Sequence, residues 1–314
     1  MNRINFYKKS LSLKEFFEKR QKILFIMKDG GLGDVFSYRM IFEDVKKLMP
    51  NSHVVFACPK KYFSVIEDHP FIDEVADCEA INKKEFIVYY DITSVCFEHE
   101  MKIAPLSDLN RSDIVSKYCG FSLTSHKMHI NLEESFIKEA KEKLSEKINF
   151  AICPFSKVPA RSMTINQIQK IKNKLDALDI NLICLHNKEN KDLENIGIPV
   201  WNNLNEKQWM GSIAAFDYVI SVDTASFHFA GGINKPLIGI FGPTDGKVIG
   251  KYYDFILIQK HRDEGDWDCG PCYNWLSCPK TKEIPKPCIK EINEEKLINS
   301  IDLILEKYPK YSIK

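Results

Sequence analysis

The chain has 314 residues, 44% apolar and 28% charged, enough for two domains with their own cores and unlike a disordered protein. Its 44 Lys and Arg balance 43 Asp and Glu, so no global field favours nucleic acid or an anionic membrane. No stretch nears the ~18 apolar residues of a membrane span and the N-terminus has no signal-peptide core, so a cytoplasmic protein is expected.

Residues 1–20 read as an extension, a helix with Leu11, Leu13, Phe16 and Phe17 packed down and no assigned chemistry. Apolar runs then predict strands at Lys22–Met27, His53–Cys58 and Phe86–Ile92. Helical patterns fall at Phe36–Met49, Tyr62–Asp68 and Ser107–Cys119, the last with Ser112 and Asp113 as its caps. A polar entry, Thr124–Lys127, leads into a charged helix, Glu133–Lys147. Five more strands are expected at Phe150–Pro154, Asn181–Leu185, Tyr218–Val222, Leu237–Phe241 and Phe255–Gln259, with helices Ile165–Leu178, Glu206–Phe216 and Ser226–Gly232 between them. The amphipathic helix Glu291–Lys307 closes the chain. Alternation of this kind builds parallel sheets covered on both faces. The interruption at 124–148 divides it into an α/β domain over 21–147 and a second over 148–314, two Rossmann-like halves expected to face each other across a cleft.

The stretch "KDGGLGDVFSY" (28–38) follows the first strand directly. A dinucleotide fingerprint would put a third small residue at Phe36 and an acid after the second strand, where Cys58-Pro59 stands. A phosphate loop is equally poor: 242–248 has too few residues between its glycines and Val248 where Ser or Thr would hold magnesium. What remains is Gly31-Leu32-Gly33-Asp34, with a carboxylate at the mouth of a helix. Asp34 is either a helix cap, favoured by backbone N–H groups and the dipole, or a reactive group at the carboxyl edge of a sheet, where glycines admit a ligand.

In "YVISVDTASFHFAGGINKPLIGIFGPTD" (218–245), Asp223 and Thr224 end a buried strand, His228 follows within the next helix, and Gly242-Pro243-Thr244 ends the following strand. Helix N–H groups, hydroxyls and an imidazole converging on one spot suit an anionic diphosphate. These segments resemble glycosyltransferase family 9, the ADP-heptose:lipopolysaccharide heptosyltransferases. The family's D-T-G-x-x-H is read here as Asp223-Thr224-Ala225-Ser226-Phe227-His228, its F-G-P-T as Phe241–Thr244, its opening G-x-G-D as Gly31–Asp34. The stretch 57–75 is also similar, and the resemblance runs over roughly residues 22–305.

The resemblance implies a GT-B fold, with the nucleotide-sugar on the C-terminal domain and the acceptor on the N-terminal one. It implies Asp34 as the general base that deprotonates the acceptor hydroxyl, which attacks the anomeric carbon with inversion and without a metal. In "PFSKVPARSM" (154–163) Arg161 stands at the family's lysine, with Ser156 and Lys157 upstream; a solvated basic loop is the alternative. Glu189 matches the acid of the ribose-contacting loop, or sits on a solvated turn. Ala225 replaces the family's glycine, and its methyl crowds a phosphate pose.

Four of the ten cysteines, Cys269, Cys272, Cys278 and Cys288, fall within twenty residues of a proline-rich segment. They read either as a structural zinc or iron site or as reduced thiols packing a loop; the other six read as small buried residues. The resemblance adds that related heptosyltransferases carry a cysteine-rich stretch here, some using it for iron. The resemblance thus implies an inverting glycosyltransferase with no catalytic cofactor. Its expected partners are a nucleoside-diphosphate sugar, ADP-heptose first, and a glycan or lipid-linked acceptor at the inner membrane face. The alternatives are a protein or nucleic-acid acceptor, for which no strong basic signature exists, or a nucleotide-sugar-binding module without catalysis.

Overall fold

The structure, a computed structural model, describes residues 5–6, 21–104, 106–261, 269–273 and 277–309. The helix expected within residues 1–20 lies outside the described residues, which there hold only a two-residue strand, β1 (Asn5–Phe6). The chain divides into two compact units, residues 1–102 with 109–131 and residues 103–108 with 132–314. The charged helix, observed as Glu134–Glu142, thus groups with the second unit, not with the first domain as expected from sequence. Its apolar face needs a partner and finds it in the helix Glu206–Ala215. There Gly211 lets Phe136 approach so closely that an added Cβ would lie 2.6 Å from the Phe136 Cβ.

The first unit carries a five-stranded sheet in the order β1-β5-β2-β3-β4, with β2 Lys22–Ile26, β3 His53–Cys58, β4 Glu74–Asp77 and β5 Val88–Asp91. β2 to β5 are mutually parallel and β1 is antiparallel to β5. One face of the sheet is held by Leu24, Ile26, Val55 and Ala57. Aromatic rings also pack on the sheet: Phe25 stacks on Tyr90 at 5.3 Å and meets Phe42 edge-on at 5.4 Å. The helical pattern at 36–49 resolves into two helices, Leu32–Arg39 and Phe42–Leu48. The segment 62–68 is a tighter 3-10 turn, Lys60–Val65. The helix expected from Ser107 begins at Arg111, one turn later, because Asn110 rather than Ser112 or Asp113 caps it, accepting the Ser112 N–H at 3.0 Å.

The second unit is a six-stranded, fully parallel sheet in the order β11-β10-β9-β6-β7-β8. Its strands are β6 Asn149–Cys153, β7 Asn181–Leu185, β8 Val200–Trp201, β9 Tyr218–Val222, β10 Leu237–Phe241 and β11 Ile256–Gln259. Near-continuous apolar strands mark burial on both faces. Ile152, Ile220 and Ile240 pack with Ile168 and Leu175 of the helix Ile165–Ala177 and with Ile301 of the helix Glu294–Lys307.

Each sheet reverses its winding at its first parallel strand. From β2 the chain runs outward through β3 and β4, then returns to β5 on the other side of β2; from β6 it runs through β7 and β8, then returns to β9. In open α/β sheets such a reversal leaves a crevice at the carboxyl ends of the two central strands, where ligands bind. No helix among the described residues is long and apolar enough to cross a membrane.

Candidate functional site

In the first unit the reversal brings the loops after β2 and β5 together, tied by the Lys28 N–H donating to Thr93 Oγ1 at 3.1 Å. The β2 loop turns at Gly30, whose φ of +140° is one that a side chain rarely adopts. The Tyr62 hydroxyl donates to the Gly30 carbonyl at 2.9 Å. Gly31 caps the helix Leu32–Arg39, and its N–H donates to Asp34 Oδ2 at 2.7 Å. Gly33 lies in the first turn. Asp34 therefore does cap its helix, but only one of its oxygens is used in doing so.

The other oxygen, Oδ1, accepts from Arg111 Nη1 at 2.6 Å. Arg111 in turn donates from Nε and Nη2 to Glu100 Oε1 and Oε2 at 2.8 and 3.0 Å. Glu100 is 1% exposed and Arg111 7%. Burial works against the Arg111 charge, yet the Glu100 and Asp34 carboxylates outweigh it and hold its pKa well above the ordinary value. The Tyr38 hydroxyl donates to Cys96 Sγ at 3.6 Å, and burial raises both groups, so each stays neutral.

In the second unit the β6 loop and the end of β9 meet at the reversal. Arg161, on the turn Pro159–Arg161, donates from Nη1 to Asp223 Oδ2 at 2.9 Å. The same oxygen accepts from Thr244 Oγ1 at 2.7 Å, linking the ends of β6, β9 and β10. Asp223 is 5% exposed, so it acts as the counter-ion that fixes a guanidinium. Thr224 stands at the N-cap of the helix Ala225–Gly232 without capping it through its side chain; its Oγ1 lies 3.2 Å from Ser221 Oγ. His228, buried within that helix, has Nδ1 3.1 Å from the Tyr253 hydroxyl, whose own pKa burial raises.

The remaining residues expected at the donor site behave differently. The Ser156 hydroxyl accepts the Val158 N–H at 3.2 Å and shapes the loop, while Lys157 is exposed. Glu189 is exposed on the β7 loop beside Asn190, the cap of a short helix. Gly242 serves packing: a Cβ there would lie 2.5 Å from Ile289 and 3.2 Å from Cys288 Sγ. Sequence reasoning did not single out Arg111, Glu100, Ser221 or Tyr253; a basic residue beside a capping Asn was the only signal for the first.

The four clustered cysteines line one cavity of about 220 Å³ together with Lys260, His261 and Lys286. Cys278 and Cys288 are buried, Cys269 and Cys272 half-buried. Lys286, 1% exposed, donates from Nζ to Cys272 Sγ at 3.7 Å. Burial pushes the Cys288 thiol up to about 12, while hydrogen bonds from Thr281 outweigh burial at Cys278 and lower it. Four thiols on one cavity suit zinc or iron by donor type. Among the described residues, however, no three His, Cys, Asp or Glu side chains are drawn together to hold an ion. The segment also braces the turns after β10 and β6: the Tyr273 N–H donates to the Pro243 carbonyl at 2.8 Å and the Lys286 N–H to the Ala160 carbonyl at 3.3 Å.

Residues 109–264 match the family model described as glycosyltransferase family 9 (heptosyltransferase). No curated protein matches the sequence. Among solved structures, a glycosyl transferase family 9 protein from Veillonella parvula superposes with a TM-score of 0.69 at 15% identity, covering 92% of this chain and 98% of that one. The E. coli ADP-heptose LPS heptosyltransferase II gives 0.66 at 12% identity, with 91% and 99% covered. The iron-containing dodecameric glycosyltransferase TibC from enterotoxigenic E. coli gives 0.70 at 11% identity, with 92% and 77% covered. These likenesses agree with the expected fold, two parallel α/β sheets of the GT-B kind.

Proposed function

We propose, for a chain that belongs to glycosyltransferase family 9, that the enzyme moves a heptose from ADP-heptose to an acceptor hydroxyl with inversion and without a catalytic metal. The observation that carries this reading is the Arg161–Asp223–Thr244 network at the reversal of the second sheet. It fixes a cation beside the N-terminus of the helix Ala225–Gly232, a setting that suits a diphosphate. Arg161, Thr224 and His228 are the residues assigned to the phosphates, with Asp223 and Thr244 holding Arg161 in place, Ser156 and Lys157 on the adjoining loop, and Glu189 assigned to the ribose.

Asp34 takes the proton of the acceptor hydroxyl; the resulting oxygen attacks the anomeric carbon, and the carbon–oxygen bond to the diphosphate breaks. The leaving nucleoside diphosphate carries the bonding pair, and Arg161 and the helix N–H groups stabilise that charge. The first unit would hold the acceptor, with Gly31 and Gly33 giving it close access. A surface glycan is the acceptor favoured by the relative named for lipopolysaccharide. The setting is the cytoplasm, at the membrane face where the acceptor is lipid-linked. A thermal-shift panel of nucleoside diphosphates and their sugars tests the donor assignment. A ligand at 100 times its Kd should stabilise the protein by about 2.7 kcal/mol. ADP and ADP-sugars are expected to lead, and no shift from any of them would overturn the reading.

The same proposal gives Cys269, Cys272, Cys278 and Cys288 a structural zinc or iron, which would cross-link the loop and take no part in transfer. Protein purified without added metal should then carry about one ion per chain, as a four-thiolate site implies. Cys272→Ser should lower that content and the melting temperature, while Cys58→Ser leaves the content unchanged. Fully active, anaerobically purified protein with no metal by elemental analysis would leave the thiols as packing.

A further inference from the structure

We infer that Glu100 is a positioning residue for the transfer step: as the standing counter-ion of Arg111, it lets that guanidinium aim Asp34 without neutralising it. The inference rests on the reading of Asp34 as the base. A guanidinium carries five N–H donors in a rigid fork. Glu100 occupies the Nε–Nη2 edge through both carboxylate oxygens, at 2.8 and 3.0 Å, and leaves Asp34 a contact from Nη1 at 2.6 Å. Two carboxylates thus share one cation. With Tyr38 and Cys96 kept neutral by burial, this group of side chains holds one net negative charge.

The arrangement has a consequence for proton transfer. A guanidinium paired with Asp34 alone would lose its counter-charge when Asp34 took a proton, and a buried, unpaired cation is strongly unfavourable. Arg111 would then oppose the reaction it helps to aim. With Glu100 bound through both oxygens, Arg111 stays paired whether Asp34 is charged or neutral. Each Asp34 oxygen accepts one hydrogen bond from Gly31 or Arg111, and a carboxylate has about four acceptor sites, so capacity remains for a hydroxyl.

Glu100→Gln preserves shape and removes the charge. Its kcat should fall about 10- to 100-fold, within what charge placement at a reacting group contributes. Acceptor KM and nucleoside-diphosphate Kd should stay unchanged, because neither reports on proton uptake. Glu100→Asp keeps the charge on a shorter arm and should hold kcat within about tenfold of wild type. An unchanged kcat in Glu100→Gln, or equal losses in the Gln and Asp variants, would overturn the inference. Should Glu100→Gln fail to fold, the Asp variant decides, and a loss well beyond tenfold there overturns it. Asp34→Asn separates the two readings. Normal turnover in that variant removes the base and this inference with it, whereas an inactive Asp34→Asn beside a fully active Glu100→Gln removes the role of Glu100 alone.

Discussion

Asp34→Asn is expected to lower turnover by at least about 10²-fold, the lower end of what a general base contributes. Nucleoside-diphosphate affinity should stay near wild type, because Asp34 and the residues assigned to the diphosphate lie on different units. The side chain makes two contacts, so the substitution also has a structural effect. An Asn oxygen can still accept the Gly31 N–H, but its amide group then faces Arg111 Nη1, donor against donor. A loss of about 1–3 kcal/mol of stability follows from leaving such groups unsatisfied. Arg111 keeps Glu100 as its counter-ion, so the fold should survive. Turnover must therefore be measured per folded molecule, with a melting curve beside it. A folded variant with near-normal turnover would reduce Asp34 to a helix cap.

Arg161→Ala should weaken nucleotide binding and slow transfer together, since in the proposed site the same charge would meet the phosphates before and during departure. An electrostatic donor of this kind is worth about 10²–10³-fold in kcat when removed. Asp223, 5% exposed, would keep Thr244 as a partner but lose the guanidinium, so Arg161→Lys is the informative control. A lysine restores the charge without the planar fork and should recover part of the affinity. His228→Ala should weaken binding more mildly. Calorimetry showing unchanged nucleotide affinity for both Arg161→Ala and His228→Ala would place the donor elsewhere.

The central strands were legible because their apolar runs are continuous, as burial on both faces of a parallel sheet demands. His53–Cys58, Asn181–Leu185, Tyr218–Val222 and Leu237–Phe241 fall where the sequence predicts them. The half-exposed strand Glu74–Asp77 and the two-residue Val200–Trp201 were not, having too little periodicity to register. The helix Glu134–Glu142 was visible, but its partner was not, since the sequence does not say which apolar face it covers. Asp34 and Asp223 could be read from their place after a strand. Arg111 could not: its burial depends on carboxylates 11 and 77 positions away. Gly242 shows the opposite failure, a motif glycine whose missing side chain admits Ile289.

The reversal of winding in each sheet bears on how such a chain tolerates divergence. A crevice made by strand order belongs to the path of the backbone and survives replacement of nearly every side chain that lines the sheet, provided the strands stay apolar. At 15% identity, superposition over 92% of this chain is intelligible on those terms. A site built there then depends on a few polar residues carried by the turns and helices around those strands. The loops between them can change in length and sequence while the scaffold stays in place.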